Sequence, residues 1–243
     1  MYRSSANLSE RRLAKPFLSV VIPAYNEAAR IRRTLDGVTA YLGKQSYTWE
    51  VLVVDDGSSD ETAAIAAERA TAEHRVNVET IPHAGKGWAV KWGMLAAVGQ
   101  CRFMCDADLA MPIEQLGGFL ERMAEGYDVV IGSRQKAGAT RYGEPIGRHI
   151  MGRVFNWSIR LFAVGGLEDT QCGFKCFRGD VAEELFSLQR TKGFAFDVEI
   201  LYMAMKEGLR VKEMPIDWYH QEASQVRPFV DSFLMLRDSV LLR

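Results

Sequence analysis

Apolar and polar positions along residues 17–134 form alternating blocks that predict strands followed by helices. Short, continuously apolar runs such as "FLSVVIP" and "EVLVVDDG" are typical of strands buried on both faces. Longer segments between them carry apolar residues at helical spacing. Further strands are expected in "VNVETI", "CRFMCD" and "YDVVIGSR", at 76–81, 101–106 and 127–134. This alternation predicts an α/β fold: a mostly parallel sheet flanked by helices on both faces.

Helix starts are predicted from capping residues. Asn26 is expected to cap the first helix, and "SSDE", Ser58 to Glu61, fits a capping box for a second helix ending near residue 73. Two more helices are expected at 87–98 and 113–126. The second half is less regular: "VAEELFSL" and "FDVEILYMAMKEG" predict helices, "EDTQCGFKCFRGD" a loop with a short strand, and "VKEMPIDWYH" one strand.

We expect one folded domain over residues 17–222, between two different ends. Residues 1–16 are polar and basic and predict a flexible arm. Residues 223–243 predict an amphipathic helix, which either packs on the core or lies in a membrane interface. The apolar positions at helical spacing there are Phe229, Phe233, Leu236 and Val240.

Composition narrows the function classes. The chain has 243 residues, 48% of them apolar and 25% charged, which is ordinary for a globular protein with a sizeable core. A net charge of -1 argues against a nucleic-acid partner. No run approaches the ~18 uninterrupted apolar residues of a membrane span, and no apolar signal-peptide region follows the basic N-terminus. We therefore expect a cytoplasmic protein, with peripheral contact at the cytoplasmic membrane face as an open alternative.

Four cysteines form two C-x3-C pairs: Cys101, Cys105, Cys172 and Cys176. That spacing is compatible with zinc ligation. Cys101 and Cys105, however, fall on a predicted strand among apolar residues, where free cysteine is a common core residue. Buried thiols are the favoured interpretation.

Polar side chains follow the ends of four predicted strands, in "PAYNE", "DDGSSD", "CDADL" and "GSR". Because ligands bind at the carboxyl ends of parallel strands, these side chains are expected to gather at one edge of the sheet. They are Glu27, Asp55, Asp56, Asp106, Asp108 and Arg134.

Asp106 and Asp108 lie two residues apart, so in extended chain their carboxylates can point to one place. Magnesium and manganese prefer oxygen ligands, and magnesium is usually held by one or two carboxylates with substrate phosphates and water. The alternative is a pair of aspartates that ends a strand and caps the next turn.

Basic residues near this edge are candidates for anion binding. Lys86 stands between two glycines at a helix start, where it either binds an anion or is an ordinary loop lysine. Between Arg134 and Arg160 basic residues outnumber acidic ones; this is either a solvated face or a site where Arg134 and Arg148 hold a phosphate. The P-loop and G-x-G-x-x-G patterns are absent from the sequence.

Six motifs in order, "SVVIPAYNE", "EVLVVDDGSSDET", "GKGWAV", "MCDADL", "VIGSR" and "DTQCGFK", resemble the family 2 inverting glycosyltransferases of the GT-A (Rossmann-like) fold. The resemblance covers roughly residues 17–220 and is strongest to the polyprenyl-phosphate branch, the dolichyl-phosphate glucosyl- and mannosyltransferases. The ordered set disfavours a nucleotidyltransferase. The presence of both aspartates disfavours a non-enzymatic scaffold.

The resemblance implies a role for each matching residue. The nucleotide-sugar donor would be bound by Pro23, Tyr25, Glu27, Asp56, Lys86 and Asp106. Asp106 and Asp108 would hold Mg²⁺ or Mn²⁺ on the diphosphate. Arg134 and Arg148 would meet the acceptor phosphate, and Asp169 would lie near the reacting centre, as a base in one interpretation. Asp108, Arg134 and Asp169 are thus the implied catalytic residues.

The resemblance also implies the substrates. "GKGWAV" is more similar to the glucosyl pattern than to the mannosyl one, which favours UDP-glucose over GDP-mannose as donor. The implied acceptor is a polyprenyl or dolichyl phosphate. Two alternatives stay open: a GDP-mannose-dependent mannosyltransferase, and a family 2 enzyme with a soluble hydroxyl acceptor.

Overall fold

The apolar runs predicted as strands form the centre of a seven-stranded sheet in the computed structural model, which describes residues 15–144 and 166–221. Its strands are β1 Leu18–Ala24, β2 Trp49–Asp55, β3 Val76–Thr80, β4 Cys101–Met104, β5 Val129–Ser133, β7 Lys175–Arg178 and β8 Val211–Pro215. Their spatial order is β3-β2-β1-β4-β7-β5-β8. All pairings are parallel except those of β7, which runs antiparallel to both β4 and β5.

Helices cover both faces of this sheet, as predicted. They are α1 Ile31–Leu42, α2 Thr62–Ala72, α3 Lys86–Ala96, α4 Leu116–Ala124, α5 Gly179–Leu188 and α6 Phe196–Lys206, with a short 3-10 helix at Ile113–Gln115 before α4. β1 shows how the faces divide: Val20 and Ile22 pack with α1, α2 and α4, whereas Val21 packs with α3, α5 and α6. Side chains alternate along a strand, so a strand that is apolar throughout feeds two cores.

A second, two-stranded sheet stands beside the main one. It pairs β6 Thr140–Tyr142 with β9 Asp217–Tyr219 in parallel. The prediction of one strand over "VKEMPIDWYH" was wrong, because the chain passes from β8 into β9 and changes sheets near Ile216. The Ile216 side chain is buried in the core at that point.

Both predicted helix caps were wrong. Asn26 adopts a φ of 52°, and its Oδ1 accepts a hydrogen bond from the Ser59 N–H. The residue at the N-cap position of α1 is Arg30, four residues after Asn26. Ser58 Oγ accepts the N–H of Asn26 instead of capping α2. These side chains thus hydrogen-bond each other's loops at the ends of β1 and β2, and neither caps a helix.

The four cysteines are free and buried, as the favoured interpretation predicted. No helix among the described residues is long and apolar enough to cross a membrane. The predicted arm at 1–16, apart from Lys15 and Pro16, lies outside the described residues. The same holds for Arg148 and for the predicted helix at 223–243.

Candidate active site

The polar strand ends do meet at one edge of the sheet. β1, β2, β4 and β5 all point their carboxyl ends the same way, since β4 and β5 each run antiparallel to β7 between them. Glu27 illustrates the proximity of the acidic groups. Burial, and after it the charges of Asp108 and Asp106, raise the pKa of Glu27 despite its ion pair with Arg30. The carboxylates of Glu27, Asp106 and Asp108 therefore lie close enough at this edge for their negative charges to act on one another.

Asp106 and Asp108 follow β4 in a tight turn. The Asp106 carbonyl accepts the N–H of Leu109 at 3.2 Å, and Leu109 takes a left-handed φ of 46°. Thr34 of α1 donates its hydroxyl to the carbonyl of Ala107 at 2.5 Å. Two elements thus fix the backbone between the two aspartates.

The side chains of this pair suit a divalent cation. Burial, and then the charge of Asp106, raise the pKa of Asp108, while the Ala110 N–H donates to Asp108 Oδ1 at 3.0 Å. Oδ1 of Asp106 is buried and receives no aligned hydrogen bond in the part of the chain that the structure describes. Its partner is ionic: Lys86 Nζ lies 2.7 Å away. An under-neutralised pair of carboxylates fits a hard cation completed by substrate phosphates and water.

No group of three or more His, Cys, Asp or Glu side chains within 15–144 and 166–221 is arranged to hold a metal ion. A cation at Asp106 and Asp108 would accordingly need other oxygen ligands. A diphosphate supplies such oxygens.

Lys86 is aimed at Asp106 by the glycines beside it. Gly85 has a φ of +112°, and a Cβ on it would lie 2.8 Å from the carbonyl oxygen of Lys192. A Cβ on Gly87 would lie 2.6 Å from the carbonyl oxygen of Gly193. The start of α3 therefore packs directly on the backbone of the loop that precedes α6. Burial alone would lower the pKa of Lys86, but the nearby aspartates outweigh it and raise that pKa.

An aromatic pair lies beside the β1 and β2 ends. The rings of Tyr25 and His83 stack with centroids 4.2 Å apart. His83 Nδ1 lies 2.9 Å from Asp56 Oδ2 and 3.0 Å from the carbonyl oxygen of Asp56, which favours the tautomer protonated at Nδ1. A stacked, half-exposed ring pair is a surface on which a nucleobase can stack.

Asp56 is buried, and its carboxylate organises the loop before α3. Oδ1 accepts the N–H of Ala84 and Oδ2 accepts the N–H of Gly85, both at 2.9 Å. Pro23 is buried inside β1, in register with Val54. For Asp56 and Pro23, direct contact with the nucleotide stays a prediction.

Arg134 and Asp169 form a two-point ion pair. Arg134 Nε donates to Oδ2 at 2.7 Å, Nη2 donates to Oδ1 at 2.9 Å, and the Arg134 backbone N–H also reaches Oδ2. Burial alone would raise the pKa of Asp169, but the charge and hydrogen bonds of Arg134 hold it at about 2. The pair is braced by Glu213, which accepts the Asp169 N–H at 2.7 Å.

Two connections hold Arg134 close to the aspartate turn. Asp169 forms an ion pair with Arg134. Four residues later, the backbone of Gly173 lies against Asp106, because a Cβ on Gly173 would be only 1.8 Å from Asp106 Oδ2. The small sheet makes the second connection. The Trp218 ring lies 5.8 Å from Arg134 Cζ, and the next residue, Tyr219, donates its N–H to the Ala110 carbonyl at 2.7 Å.

Several residues of this edge were not predicted from sequence. His83 lies two residues before the "GKGWAV" motif but is not part of it. Gly173 acts through close backbone approach to Asp106, Glu213 through a contact 44 positions away, and Lys175 through a buried pair with Asp197, 22 positions away. The signal available for Gly173 was its place inside "DTQCGFK".

Comparison with known proteins identifies the family. The profile described as Glycosyl transferase family 2 matches residues 19–186. The chain belongs to glycosyl transferase family 2. Dolichyl-phosphate beta-glucosyltransferases from Drosophila melanogaster and Homo sapiens are 37% and 31% identical to it; each alignment covers 93% of this chain and 74% of the relative.

Solved structures agree with this family 2 assignment at the level of the fold. Glucosyl-3-phosphoglycerate synthase from Mycobacterium tuberculosis, in complex with phosphoglyceric acid, superposes with a TM-score of 0.70 at 19% identity, covering 99% of this chain and 85% of that one. The same enzyme with Mn²⁺, uridine diphosphate and glucosyl-3-phosphoglycerate gives 0.66 at 21% identity, covering 100% and 84%. The GT-A fold predicted from the sequence motifs is confirmed, and the chain is a glycosyltransferase.

Proposed function

We propose that this family 2 enzyme is a metal-dependent, inverting glucosyltransferase that moves glucose from UDP-glucose to a polyprenyl or dolichyl phosphate. The names of the relatives at 31–37% identity support the sugar and the acceptor. A solved structure of the same fold holds Mn²⁺ and UDP-glucose with phosphoglyceric acid, which supports a uridine donor and a divalent cation.

The donor end of the proposal uses the β1 and β2 edge. The Tyr25–His83 stack offers a flat aromatic surface for the base, and Asp56 keeps His83 and the loop before α3 in place. Lys86, at the first turn of α3, lies beside Asp106, where it can meet the diphosphate. The free backbone N–H groups of that helix end favour an anion as well.

Asp106 and Asp108 would hold the cation, and Mg²⁺ and Mn²⁺ both suit these oxygen ligands. Such a cation, when bound, neutralises the charge that grows on the leaving nucleoside diphosphate. The protein's part is to place both carboxylates in a turn whose backbone is held by Thr34.

A phosphate acceptor fits Arg134 and Asp169 better than a neutral hydroxyl does. A lipid monophosphate has a second pKa of about 6, so near neutrality it needs no proton acceptor. A hydroxyl needs one, and Asp169, with a pKa of about 2 and both oxygens on Arg134, is poorly suited to accept a proton. Nη1 of Arg134 takes no part in the pair with Asp169, and the side chain is a quarter exposed.

The observation that carries the proposal is the segment from Asp169 to Gly173. Asp169 orients Arg134, and Gly173 touches the Asp106 carboxylate, so one short stretch couples the proposed acceptor and metal groups. Catalysis then rests on holding two anions in line, with Arg134 offsetting their repulsion. Direct displacement at the anomeric carbon by the phosphate oxygen would invert its configuration.

A donor and acceptor matrix tests this proposal. The purified chain is incubated with UDP-glucose, UDP-galactose, UDP-N-acetylglucosamine or GDP-mannose, each with short-chain polyprenyl phosphate, phosphoglyceric acid or no acceptor, and with Mg²⁺, Mn²⁺ or EDTA. We expect lipid-linked product from UDP-glucose alone, and none with EDTA. Product from GDP-mannose, or glucosylation of phosphoglyceric acid in place of the lipid, would refute the assignment.

Asp108→Asn supplies the matching variant, because it keeps the shape and removes one charge. We expect product formation to fall to background in it. Asp36→Asn is the control, since Asp36 is exposed on α1 and pairs with Arg69 on α2. Normal turnover by Asp108→Asn at saturating Mn²⁺ would contradict the metal assignment.

A further inference from the structure

A buried ion pair lies behind the active site with no part in the roles assigned so far. Lys175 of β7 is 1% exposed and Asp197, in the first turn of α6, is 4% exposed. Lys175 Nζ lies 2.5 Å from Asp197 Oδ1. Buried pairs lose hydration that their attraction only partly returns, so such a pair is weak evidence of stabilisation. The pair is therefore of interest for the backbone that it holds in place.

The ammonium of Lys175 also holds the backbone just before Gly173. Its Nζ donates to the Cys172 carbonyl at 2.5 Å, so the chain turns back on itself between Cys172 and Lys175. Cys172 is buried, and its Sγ lies 3.0 Å from where a Cβ on Gly132 would stand, which leaves this segment little room to shift. Lys175 thus fixes the position of the peptide that precedes Gly173.

Gly173 itself lies flat against the Asp106 carboxylate. A Cβ there would be 1.8 Å from Oδ2, 2.3 Å from Cγ and 2.6 Å from Oδ1 of Asp106. Real Cβ atoms essentially never come within 3.0 Å of another heavy atom in this way. The backbone of Gly173 therefore forms one wall of the space in which the carboxylate sits.

Lys86 also contacts that carboxylate. Lys86 Nζ is 2.7 Å from Asp106 Oδ1. The Asp106 carboxylate is thus contacted by the Gly173 backbone, whose preceding peptide is held by Lys175, and by Lys86.

We infer that Gly173 and the Lys175–Asp197 pair are positioning residues that set the orientation of the Asp106 carboxylate for a divalent cation. The inference rests on the proposed function, in which Asp106 and Asp108 hold that cation. It assigns Gly173, Lys175 and Asp197 a role in metal affinity, and none in recognition of the base.

Two variants test the positioning role, one at Gly173 and one at the Lys175–Asp197 pair. Gly173→Ala pushes a methyl group into the Asp106 carboxylate. Lys175→Met with Asp197→Leu replaces the buried pair by apolar side chains, an exchange that proteins often tolerate without loss of stability. Gly117→Ala is the matched control for the first, because a Cβ at that helical position would meet only Tyr41 Oη, at 3.6 Å. Near-ultraviolet circular dichroism checks that each variant is folded.

Binding is measured apart from activity. Electron paramagnetic resonance of free Mn²⁺ gives Mn²⁺ affinity in the presence of UDP, and calorimetry in EDTA gives UDP affinity without metal. We expect both variants to bind Mn²⁺ about 10- to 100-fold more weakly, the usual size of an effect on groups that orient metal ligands. UDP affinity in EDTA should stay within about twofold of the wild-type value. At saturating Mn²⁺, kcat should come closer to its wild-type value than the apparent Mn²⁺ dissociation constant does.

The outcomes separate this inference from the proposed function. If wild-type protein fails to bind Mn²⁺ with UDP, the metal assignment fails and the inference falls with it. If wild type binds Mn²⁺ and either folded variant binds it equally well, the positioning role alone is refuted. A loss of UDP affinity in EDTA matching the loss of Mn²⁺ affinity would also refute it, because general disruption of the site would explain both.

Discussion

Arg134 and Asp169 are joined by two side-chain hydrogen bonds, Nε to Oδ2 at 2.7 Å and Nη2 to Oδ1 at 2.9 Å, with the carboxylate fully buried. This geometry gives the aspartate a different task from the one its position near the reacting centre implies. A carboxylate whose two oxygens both accept hydrogen bonds from Arg134, with its pKa held at about 2, is suited to hold the arginine and poorly suited to accept a proton from substrate.

Asp169→Asn should therefore slow transfer without changing its pH dependence. We expect kcat/KM to fall by up to about 10²-fold, because Arg134 loses its fixed orientation. The acid limb of the profile, set by an acceptor phosphate with a pKa of about 6, should be the same in wild type and variant. Profiles of kcat/KM from pH 5 to 9 check this, with Glu168→Gln as the neighbouring control. An acid limb present in wild type and missing from the variant would restore Asp169 as a base.

The same ion pair makes stability depend on pH. The folded-state pKa of Asp169, about 2, lies below the unfolded value of about 3.9, so its stabilisation is complete above pH ~4 and is lost as pH falls toward 2. The contribution is roughly 2–3 kcal/mol at neutral pH. Urea unfolding of wild type and Asp169→Asn should differ by this order at pH 7 and converge near pH 2. A constant difference across that range would contradict the assignment.

Arg134→Lys should weaken use of the acceptor while leaving the donor site intact. Lysine keeps the positive charge but has no planar fork, so it cannot grip Asp169 at two points and still face a phosphate. We expect the acceptor KM to rise about tenfold or more and the UDP dissociation constant to stay within about twofold. Steady-state kinetics and calorimetry measure the two. Arg32→Lys, at an exposed pair with Glu68, is the control, and an equal loss of UDP affinity would refute the acceptor role.

His83→Ala should reduce nucleotide affinity. The variant loses the ring stacked on Tyr25 and the contact that links it to Asp56. Aromatic pairs contribute about 0.5–1.5 kcal/mol beyond area burial, so UDP should bind about 3- to 10-fold more weakly. Calorimetry with and without Mn²⁺ measures this, and His74→Ala, on the exposed turn after α2, is the comparison. Unchanged UDP affinity would show that the Tyr25–His83 surface does not carry the base.

The strands and helices followed from local pattern, and the errors came where distant residues intervened. Val20, Val21 and Ile22 predicted a strand buried on both faces, which the two cores confirm. Asn26 and Ser58 failed as caps because each found a partner in the other's loop, more than 30 residues away along the chain. The antiparallel entry of β7 between β4 and β5 was equally invisible, since strand direction is set by how the chain returns to the sheet.

Hydrophobic periodicity and the order of charged residues are properties of neighbouring positions, so the α/β architecture, the polar strand ends and the family motifs could all be predicted from the sequence. The sequence therefore predicted that Asp106, Asp108 and Arg134 lie at one edge of the sheet. Which groups contact each other depends on how the chain folds: Lys86 contacts Asp106, Asp169 contacts Arg134, and the backbone of Gly173 lies against the Asp106 carboxylate. Those contacts join segments tens of residues apart, and their chemistry depends on burial and distance, which no local pattern encodes.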